Sequence, residues 1–168
     1  MPPAARTLLT LTVLGAVLVV AAWSGWSILT SPMPDAGESP TCVETPVRPG
    51  EELRVAQVTV TVLNAGRRSG LANRTLTGLV DQGFHRGGSG NAGAGVEVSN
   101  AQIWTDDPDS PAVALVAARI PGVRIVPRDA TQFAGVVLVV GNGFAGLRPG
   151  PPSVPVRKDT TICAPPLG

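Results

Sequence analysis

The chain has few aromatic and few charged residues. It contains no tyrosine, three tryptophans and three phenylalanines, and 15% of its 168 residues are charged. It therefore lacks the aromatic platforms on which single-stranded nucleic acids stack. The formal net charge is +1 and no run of basic residues is present. Both features argue against nucleic acid as a partner.

Residues that perform catalysis or bind metals are equally scarce. His85 is the one histidine, and no serine or cysteine nucleophile is identifiable beside it. The two cysteines form no C-x-x-C pair, and with one distant histidine they do not complete four zinc ligands. Asp106, Asp107 and Asp109 lack the spacing of a calcium loop and are interpreted as solvating and capping residues.

The segment 88–93 matches G-x-G-x-x-G, but it leads towards a predicted strand, whereas a dinucleotide site needs a helix there. The sequence therefore predicts no cofactor, no metal and no enzymatic activity. A hydrolase or transferase that uses His85 is the weak alternative.

Glycine and proline are abundant instead, and their positions divide the chain. The sequence holds 20 glycines and 17 prolines, and 13 of the prolines lie in residues 1–54 or 147–168. The intervening segment, 55–146, is long enough for one small domain with a hydrophobic core and too short for two.

An uncharged apolar run occupies residues 8–30. As a helix with a rise of 1.5 Å per residue it would span about 34 Å, enough for a bilayer core of about 30 Å. Arg6 precedes the run, whereas Asp35 and Glu38 follow it, so the positive-inside rule places residues 1–7 in the cytoplasm. We interpret the run as a single-pass transmembrane helix in the cell membrane, with the C-terminal domain extracytoplasmic; a cleaved signal peptide is the alternative.

Two proline-rich segments flank the predicted domain. Residues 31–54 are expected to form an extended extracellular linker and residues 147–168 an unstructured tail. Cys42 lies in the first segment and Cys163 in the second. Because thiols outside the cytoplasmic membrane tend to oxidise, we favour a Cys42–Cys163 disulfide that ties the tail back. Two free thiols and bridges between chains remain alternatives.

Hydrophobic periodicity in residues 55–146 predicts an α+β fold. The first elements are a strand at 58–63 and a helix, with Ser69 as its N-cap and Gly83 as the left-handed residue beyond its end. The glycine-rich segment 85–95 then interrupts the pattern and is interpreted as a flexible, hairpin-like excursion.

Later elements complete the predicted order. They are a strand within 96–104, with or without a bulge, a helix capped by Asp109 or Ser110 with Pro111 near its start, a strand at 123–126 and a central strand at 135–140. The predicted order is β-α-β-β-α-β with a possible extra strand. This order indicates a small sandwich with both helices on one sheet face.

The junction between the first strand and the first helix is the candidate binding site. Free N–H groups and the helix dipole favour an anion at such a place, and two arginines add charge. The simpler interpretation is that the glycines permit a tight turn and the serine caps the helix. The candidate ligand-binding residues are Asn64, Gly66, Arg67, Arg68, Ser69 and Gly70.

The same junction carries a family resemblance. VTVTVLNAGRRSGLANRTLTGLVDQGF, together with the later VRIVP and VVLVVGNGFAG, resembles the LytR C-terminal domain over about residues 55–146. This module occurs at the C-terminus of LytR-CpsA-Psr cell-wall ligases and in stand-alone membrane-anchored proteins of high-GC Gram-positive bacteria. The ligases' catalytic domain has no counterpart here, so the resemblance does not imply ligase activity.

What the resemblance implies is an accessory protein of the cell envelope. We expect its extracytoplasmic domain to bind cell-wall polymer or envelope-assembly proteins and to support envelope integrity. An adaptor that recruits membrane-bound wall enzymes without binding glycan is the main alternative.

Overall fold

The structure, a computed structural model, describes residues 14–20, 23 and 42–165. The chain divides into two compact units, residues 1–39 and 40–168. In the first unit the described residues are helical. The rest of the predicted transmembrane run 8–30, the predicted cytoplasmic residues 1–7 and the linker residues 31–41 lie outside the described part. No helix among the described residues is long and apolar enough to cross a bilayer.

The second unit is an α+β domain built from nine strands and two α-helices within residues 42–165. In chain order its elements are β1 (Val43–Val47), β2 (Glu52–Arg54), a 3-10 turn (Val55–Gln57), β3 (Thr59–Asn64), α1 (Leu71–Asp81), β4 (His85–Asn91), β5 (Ala101–Thr105), α2 (Pro111–Ala117), β6 (Arg124–Pro127), β7 (Val136–Val140), β8 (Ser153–Pro155) and β9 (Thr160–Ala164).

Five of the strands form one mixed sheet in the order β4-β3-β7-β5-β6. Strand β3 is parallel to β4 and β7, β5 is parallel to β6, and β5 is antiparallel to β7. The sheet therefore joins two β-α-β units that run in opposite directions, with β7 between them. The predicted α+β class is confirmed, and so is the prediction that residues 135–140 contain a central strand.

Both helices pack on one face of this sheet. Their buried side chains share a core with Val60 and Val62 of β3 and Leu138 of β7. On the opposite face, Val137 and Val139 of β7 contact a smaller core that loops cover. Because β7 is buried on both faces, its sequence is apolar at every position, as expected for a central strand.

The glycine-rich segment is a strand, which corrects the prediction of a flexible excursion. Residues 85–91 form β4 at the sheet edge, with a register irregularity between Val60 and Val62 of its neighbour β3. A Cβ atom at Gly87 would lie 2.8 Å from the carbonyl oxygen of Val60, so a residue without a side chain is required for this approach. The predicted strand residues 96–98 are irregular, and β5 begins at Ala101.

The end of α1 has the predicted form. Gly83 has φ +94°, and its N–H donates to the carbonyl of Val80, while the Phe84 N–H donates to that of Leu79. This pair of bonds is the Schellman motif, and the buried Phe84 supplies the apolar contact that accompanies it.

The proline-rich flanks are ordered where the structure describes them, which corrects the predicted linker and tail. Strand β1 pairs with β9 and β2 pairs with β8, both antiparallel. Each strand of a two-stranded ribbon has a free edge, so prolines such as Pro46 and Pro155 need not break the pairing. The ribbons bury Val47, Leu53 and Ile162 in the main core, so the folded unit extends beyond 55–146 on both sides.

A buried arginine fixes the start of the C-terminal segment. Arg119 is 2% exposed, and it donates hydrogen bonds to the carbonyls of Leu115 at 2.8 Å and Pro151 at 2.7 Å. Its guanidinium lies over the ring of Phe84 at 4.8 Å. Burial lowers the pKa of Arg119. Gly150 makes this packing possible, because a Cβ atom there would be 2.8 Å from the guanidinium.

The predicted disulfide is present. It joins Cys42 and Cys163 with their Cα atoms 5.2 Å apart, and it closes a loop of 121 positions around the domain. We expect the double variant Cys42→Ser/Cys163→Ser to be less stable than the wild type by about 2–5 kcal/mol, because the unfolded chain gains conformational freedom. Urea unfolding of both proteins, with and without reductant, measures this difference.

Reductant should lower the stability of the wild type and leave the double variant unchanged. Equal stabilities of the two oxidised proteins would show that the two ribbons hold the termini without the covalent link.

Candidate functional site

The candidate site lies where the two central parallel strands end. Strands β3 and β7 are parallel neighbours that end at Asn64 and Val140, so the loops that follow them leave the same edge of the sheet. The carboxyl ends of parallel strands are common places for ligand sites in α/β folds. The structure thus brings the predicted segment 64–70 against a second loop, residues 141–147.

Asn64 closes the first loop on itself. Its side-chain oxygen accepts a hydrogen bond from the Gly66 N–H at 2.9 Å, and its side-chain nitrogen donates to the Arg68 carbonyl at 3.0 Å. Asn64 is 9% exposed, so both of its polar atoms are satisfied inside the protein. Asn64 therefore shapes the loop and presents neither of these atoms to a ligand.

The second loop holds the first through Asn142. The side-chain oxygen of Asn142 accepts a hydrogen bond from the Arg67 N–H at 2.7 Å. A Cβ atom on Gly66 would lie 2.8 Å from that oxygen, so the two loops can approach this closely only with glycine at position 66. The N–H groups of Gly66 and Arg67 are therefore both used within the protein, contrary to the expectation that they are free for an anion.

The start of α1 also differs from the prediction. The helix begins at Leu71, and its N-cap is Gly70, with φ +71° and no side-chain capping bond, instead of Ser69. A positive φ suits glycine. Gly70 therefore occupies the N-cap position that was predicted for Ser69. The Ser69 carbonyl accepts a hydrogen bond from the Arg74 guanidinium at 3.0 Å.

Four arginines lie along α1, and three of them, Arg67, Arg68 and Arg74, are at its N-terminal end. Arg68 donates to the Phe144 carbonyl at 2.7 Å, and Arg86 of β4 donates to Thr77 on α1 at 3.0 Å. Arg67 and Arg74 are exposed at the same end of the helix. Within residues 42–165, the ion pairs that the structure contains are those of Lys158, so all four guanidinium groups lack a carboxylate partner.

The positive end of the α1 dipole adds to this charge. It is not neutralised locally, because α1 has no acidic residue in its first turn. Glu97 lies at the same end of the sheet, but its neighbours Val96 and Val98 pack on the face opposite the helices. We call the exposed surface formed by Arg67, Arg68, Arg74 and Arg86 the basic face.

The acidic cluster lies at the other end of the sheet, since β5 runs antiparallel to β3 and β7. Lys158 contacts Asp107 at 2.9 Å and Asp109 at 3.9 Å, and Thr160 donates to Asp107 at 3.2 Å. These contacts tie the C-terminal ribbon to the loop before α2. Ser110 is the N-cap of α2, with Pro111 at its first position. Among the described residues no group of three or more metal-ligating side chains is placed to hold a metal ion.

His85 is the first residue of β4 and is partly buried, although it begins the segment that was predicted to be a flexible excursion. Its N–H donates to the Val58 carbonyl at 2.9 Å. Within the described part of the chain its imidazole makes no hydrogen bond to a hydroxyl or carboxylate, so no nucleophile–base pair is formed there.

Sequence reasoning missed Arg74, Asn142 and Phe144. The sequence contained a signal for Asn142 and Phe144. The segment GNGF follows the apolar strand at 136–140 in the same way that NAGRR follows the strand residues 59–63. Their meeting depends on β3 and β7 being adjacent and parallel, which neither segment reveals alone.

Together, these features define a small α+β domain of two opposed β-α-β units, with a candidate site at the junction of β3 and α1. The profile of a family described as LytR cell envelope-related transcriptional attenuator matches residues 57–144, just over half of the chain. The chain belongs to this family, so the expected resemblance is confirmed. Membership associates the protein with the cell envelope.

A solved structure supports the same assignment. The chain is similar to the soluble domain of a conserved hypothetical secreted protein, the Rv2700 ortholog of Mycobacterium marinum, with 26% sequence identity and a TM-score of 0.50. The similarity covers 62% of this chain and 70% of that one. No curated protein matches the chain at a significant level.

We expect Gly141→Ala to disturb the candidate site by moving its second loop. A Cβ atom at position 141 would lie 1.6 Å from the Val98 carbonyl oxygen, so the backbone must shift, and we expect a loss of about 3 kcal/mol in unfolding free energy. Gly93→Ala is the matched control, because a Cβ atom there meets no other atom within 4 Å. Urea unfolding measures both, and similar stabilities would contradict this account of the loop.

The Asp107–Lys158 contact gives a pH-dependent contribution to stability. The hydrogen bond from Lys158 lowers the pKa of Asp107 below its ordinary value of 3.8, against the opposing effect of partial burial. Because the pKa is lower in the folded state, the contribution is present above pH 3.8 and is lost as the pH falls through the folded-state pKa. The stability difference between wild type and Asp107→Asn should therefore disappear in acid.

Thermal unfolding between pH 2 and pH 7, with the disulfide intact, measures this difference. A constant gap down to pH 2 would assign the effect of Asp107→Asn to its neutral hydrogen bonds. At the other extreme, the bonded carboxylate of Asp107 raises the pKa of Lys158, so the pair persists until the pH rises through that higher value.

Proposed function

We propose that the protein is a non-enzymatic, membrane-anchored accessory protein of the cell envelope whose extracytoplasmic domain binds an anionic cell-wall polymer through the basic face. Family membership supports the envelope association, and the apolar run 8–30 with its flanking charges supports the anchor. The secreted protein that the chain resembles supports an extracytoplasmic location.

The observation that carries the proposal is the set of four arginines along α1 that have no carboxylate partner within residues 42–165, three of them at the N-terminal end of the helix. Arg68, Arg74 and Arg86 are each directed by a hydrogen bond to the backbone or a side chain. Guanidinium groups held in this way bind phosphate or carboxylate oxygens with several N–H donors each. A polymer that repeats such groups could contact the whole basic face.

The separation of charge across the domain supports the same function. The acidic residues of the loop after β5 are bound to the C-terminal ribbon at the opposite end of the sheet. They therefore do not neutralise Arg67, Arg68 and Arg74, and an approaching polyanion meets that end of the domain preferentially.

Co-sedimentation with insoluble cell walls tests the proposal. We expect the full-length protein in detergent to bind intact walls at low salt, and to bind less at 0.5 M salt because screening weakens exposed charge pairs. Walls stripped of phosphodiester-linked and acidic polymers should retain much less protein.

The variant Arg67→Gln/Arg68→Gln/Arg74→Gln/Arg86→Gln should bind at least tenfold more weakly, because four exposed pairs of about 0.5 kcal/mol each exceed the 1.4 kcal/mol of a tenfold change. The control is Arg124→Gln/Arg157→Gln, which removes exposed arginines away from the basic face. Equal loss in both variants, or no retention of the wild type, would contradict the proposal. Crosslinking in cells that captured wall enzymes and no glycan would favour the adaptor instead.

A further inference from the structure

A cleft runs beside α1 and is bounded by the segment that follows β7. Its volume is about 350 Å³. Arg68 and Arg74 lie at its margin, and the aliphatic side chains of Leu71 and Leu147 contribute to its walls. The cleft therefore combines two cationic side chains with a short apolar surface. Attraction of a polyanion by the rest of the basic face does not require such an apolar surface.

Both guanidinium groups in the cleft are already oriented. Arg68 uses one N–H on the Phe144 carbonyl at 2.7 Å, and Arg74 uses one on the Ser69 carbonyl at 3.0 Å. A guanidinium has five N–H donors, so each arginine keeps several for a ligand. Because the side chains are held before a ligand arrives, little rotamer entropy remains to be lost on binding.

Small residues make up part of the lining of the cleft. Gly78 lies in the middle of α1, where glycine costs about 1 kcal/mol relative to alanine, and its φ is not positive. A Cβ atom there would lie 3.0 Å from Cδ1 of Leu147, so a side chain at this position presses on the Leu147 wall of the cleft, and a long one fills the space beside it. Ala145 and Gly146 line the opposite wall. Backbone conformation does not require glycine at position 78, whereas the close contact of Leu147 with α1 does.

We infer that this cleft binds a single sugar ring that carries an oxyanion, either a phosphate ester or a carboxylate. The inference rests on the proposed function and identifies the unit of the polymer that is recognised. The two arginines fit the oxyanion, and Leu71 and Leu147 fit the C–H face of the ring. The volume is near the lower end of the range of about 300–1,000 Å³ for small-molecule pockets, which is enough for one ring.

Titration of the full-length protein in detergent with four monomeric probes tests the inference. The probes are glucose 1-phosphate, glucuronate, glucose and inorganic phosphate, followed by NMR of leucine methyl groups and arginine Nε–H groups. We expect glucose 1-phosphate, glucuronate or both to shift the signals of Leu71, Leu147, Arg68 and Arg74 together. The tighter of these two ligands identifies the source of the oxyanion. Glucose should shift none of the signals, and inorganic phosphate only those of the arginines.

Gly78→Met separates shape from charge. It fills the cleft, changes no charge and suits a helix better than glycine. We expect at least a tenfold loss of affinity for the sugar anion, a smaller loss for Gly78→Ala, and a loss of the same size or larger for Arg68→Gln/Arg74→Gln. Arg124→Gln, at the opposite edge of the sheet, should bind as the wild type does. Circular dichroism confirms that each variant is folded.

The outcomes distinguish this inference from the proposed function. Full affinity of Gly78→Met for the sugar anion and for walls would overturn the cleft as a site while leaving polymer binding by the basic face intact. Equal binding of inorganic phosphate and glucose 1-phosphate would overturn recognition of the ring. Wild-type protein that binds the sugar anion but not walls would retain the cleft and overturn polymer binding.

Discussion

The close approach of the loops after β3 and β7 is the constraint on which the candidate site depends. Two parallel strands side by side bring their following loops together, but a side chain at Gly66 or Gly141 would collide with atoms of the neighbouring segments. With glycine at both positions, Asn142 can accept the Arg67 N–H, and Asn64 can satisfy both ends of its own loop. The basic face is therefore displayed on a backbone that internal bonds already fix.

The returning C-terminal segment is the second constraint. A domain of this size buries a modest hydrophobic core, and the ribbon strands add Val47, Leu53 and Ile162 to it. The same segment begins with Leu147, which forms one wall of the cleft, and Arg119 fixes it a few residues later through the Pro151 carbonyl. Stability and the shape of the cleft thus depend on one stretch of chain.

Local patterns in the sequence were sufficient to predict the elements that depend on local chemistry. Alternating apolar residues identified β3, Gly83 identified the end of α1, and the uniformly apolar run 136–140 identified the central strand. The glycine-rich strand β4 could not be predicted, because its residues have low strand propensity and it is held by pairing with β3.

The ribbons and the cleft were missed for a related reason. Proline content suggested extended, unpaired segments, yet β1 and β2 pair with partners more than 90 positions away, and such pairing leaves no local signal. Of the six predicted ligand-binding residues, Arg67 and Arg68 lie on the basic face, whereas Asn64, Gly66 and Gly70 shape the loop. Arg74 belongs with the arginines only because Gly70 turns the chain so that its guanidinium reaches the Ser69 carbonyl.

The rigidity of the loops also bears on how a weak site can be useful. Because the loops are fixed by their own hydrogen bonds, binding does not have to order them, and the free energy of contact is not spent on folding the site. A shallow cleft that holds one ring still supplies limited affinity. A polymer presents the same unit many times, so release of one unit leaves the next at high effective concentration, and the apparent affinity for the polymer exceeds that for the monomer. The exposed arginines outside the cleft add attraction that does not depend on which unit is bound. In the proposed arrangement the cleft would set the chemical preference, and the basic face with the repeating polymer would set the time that the protein remains attached.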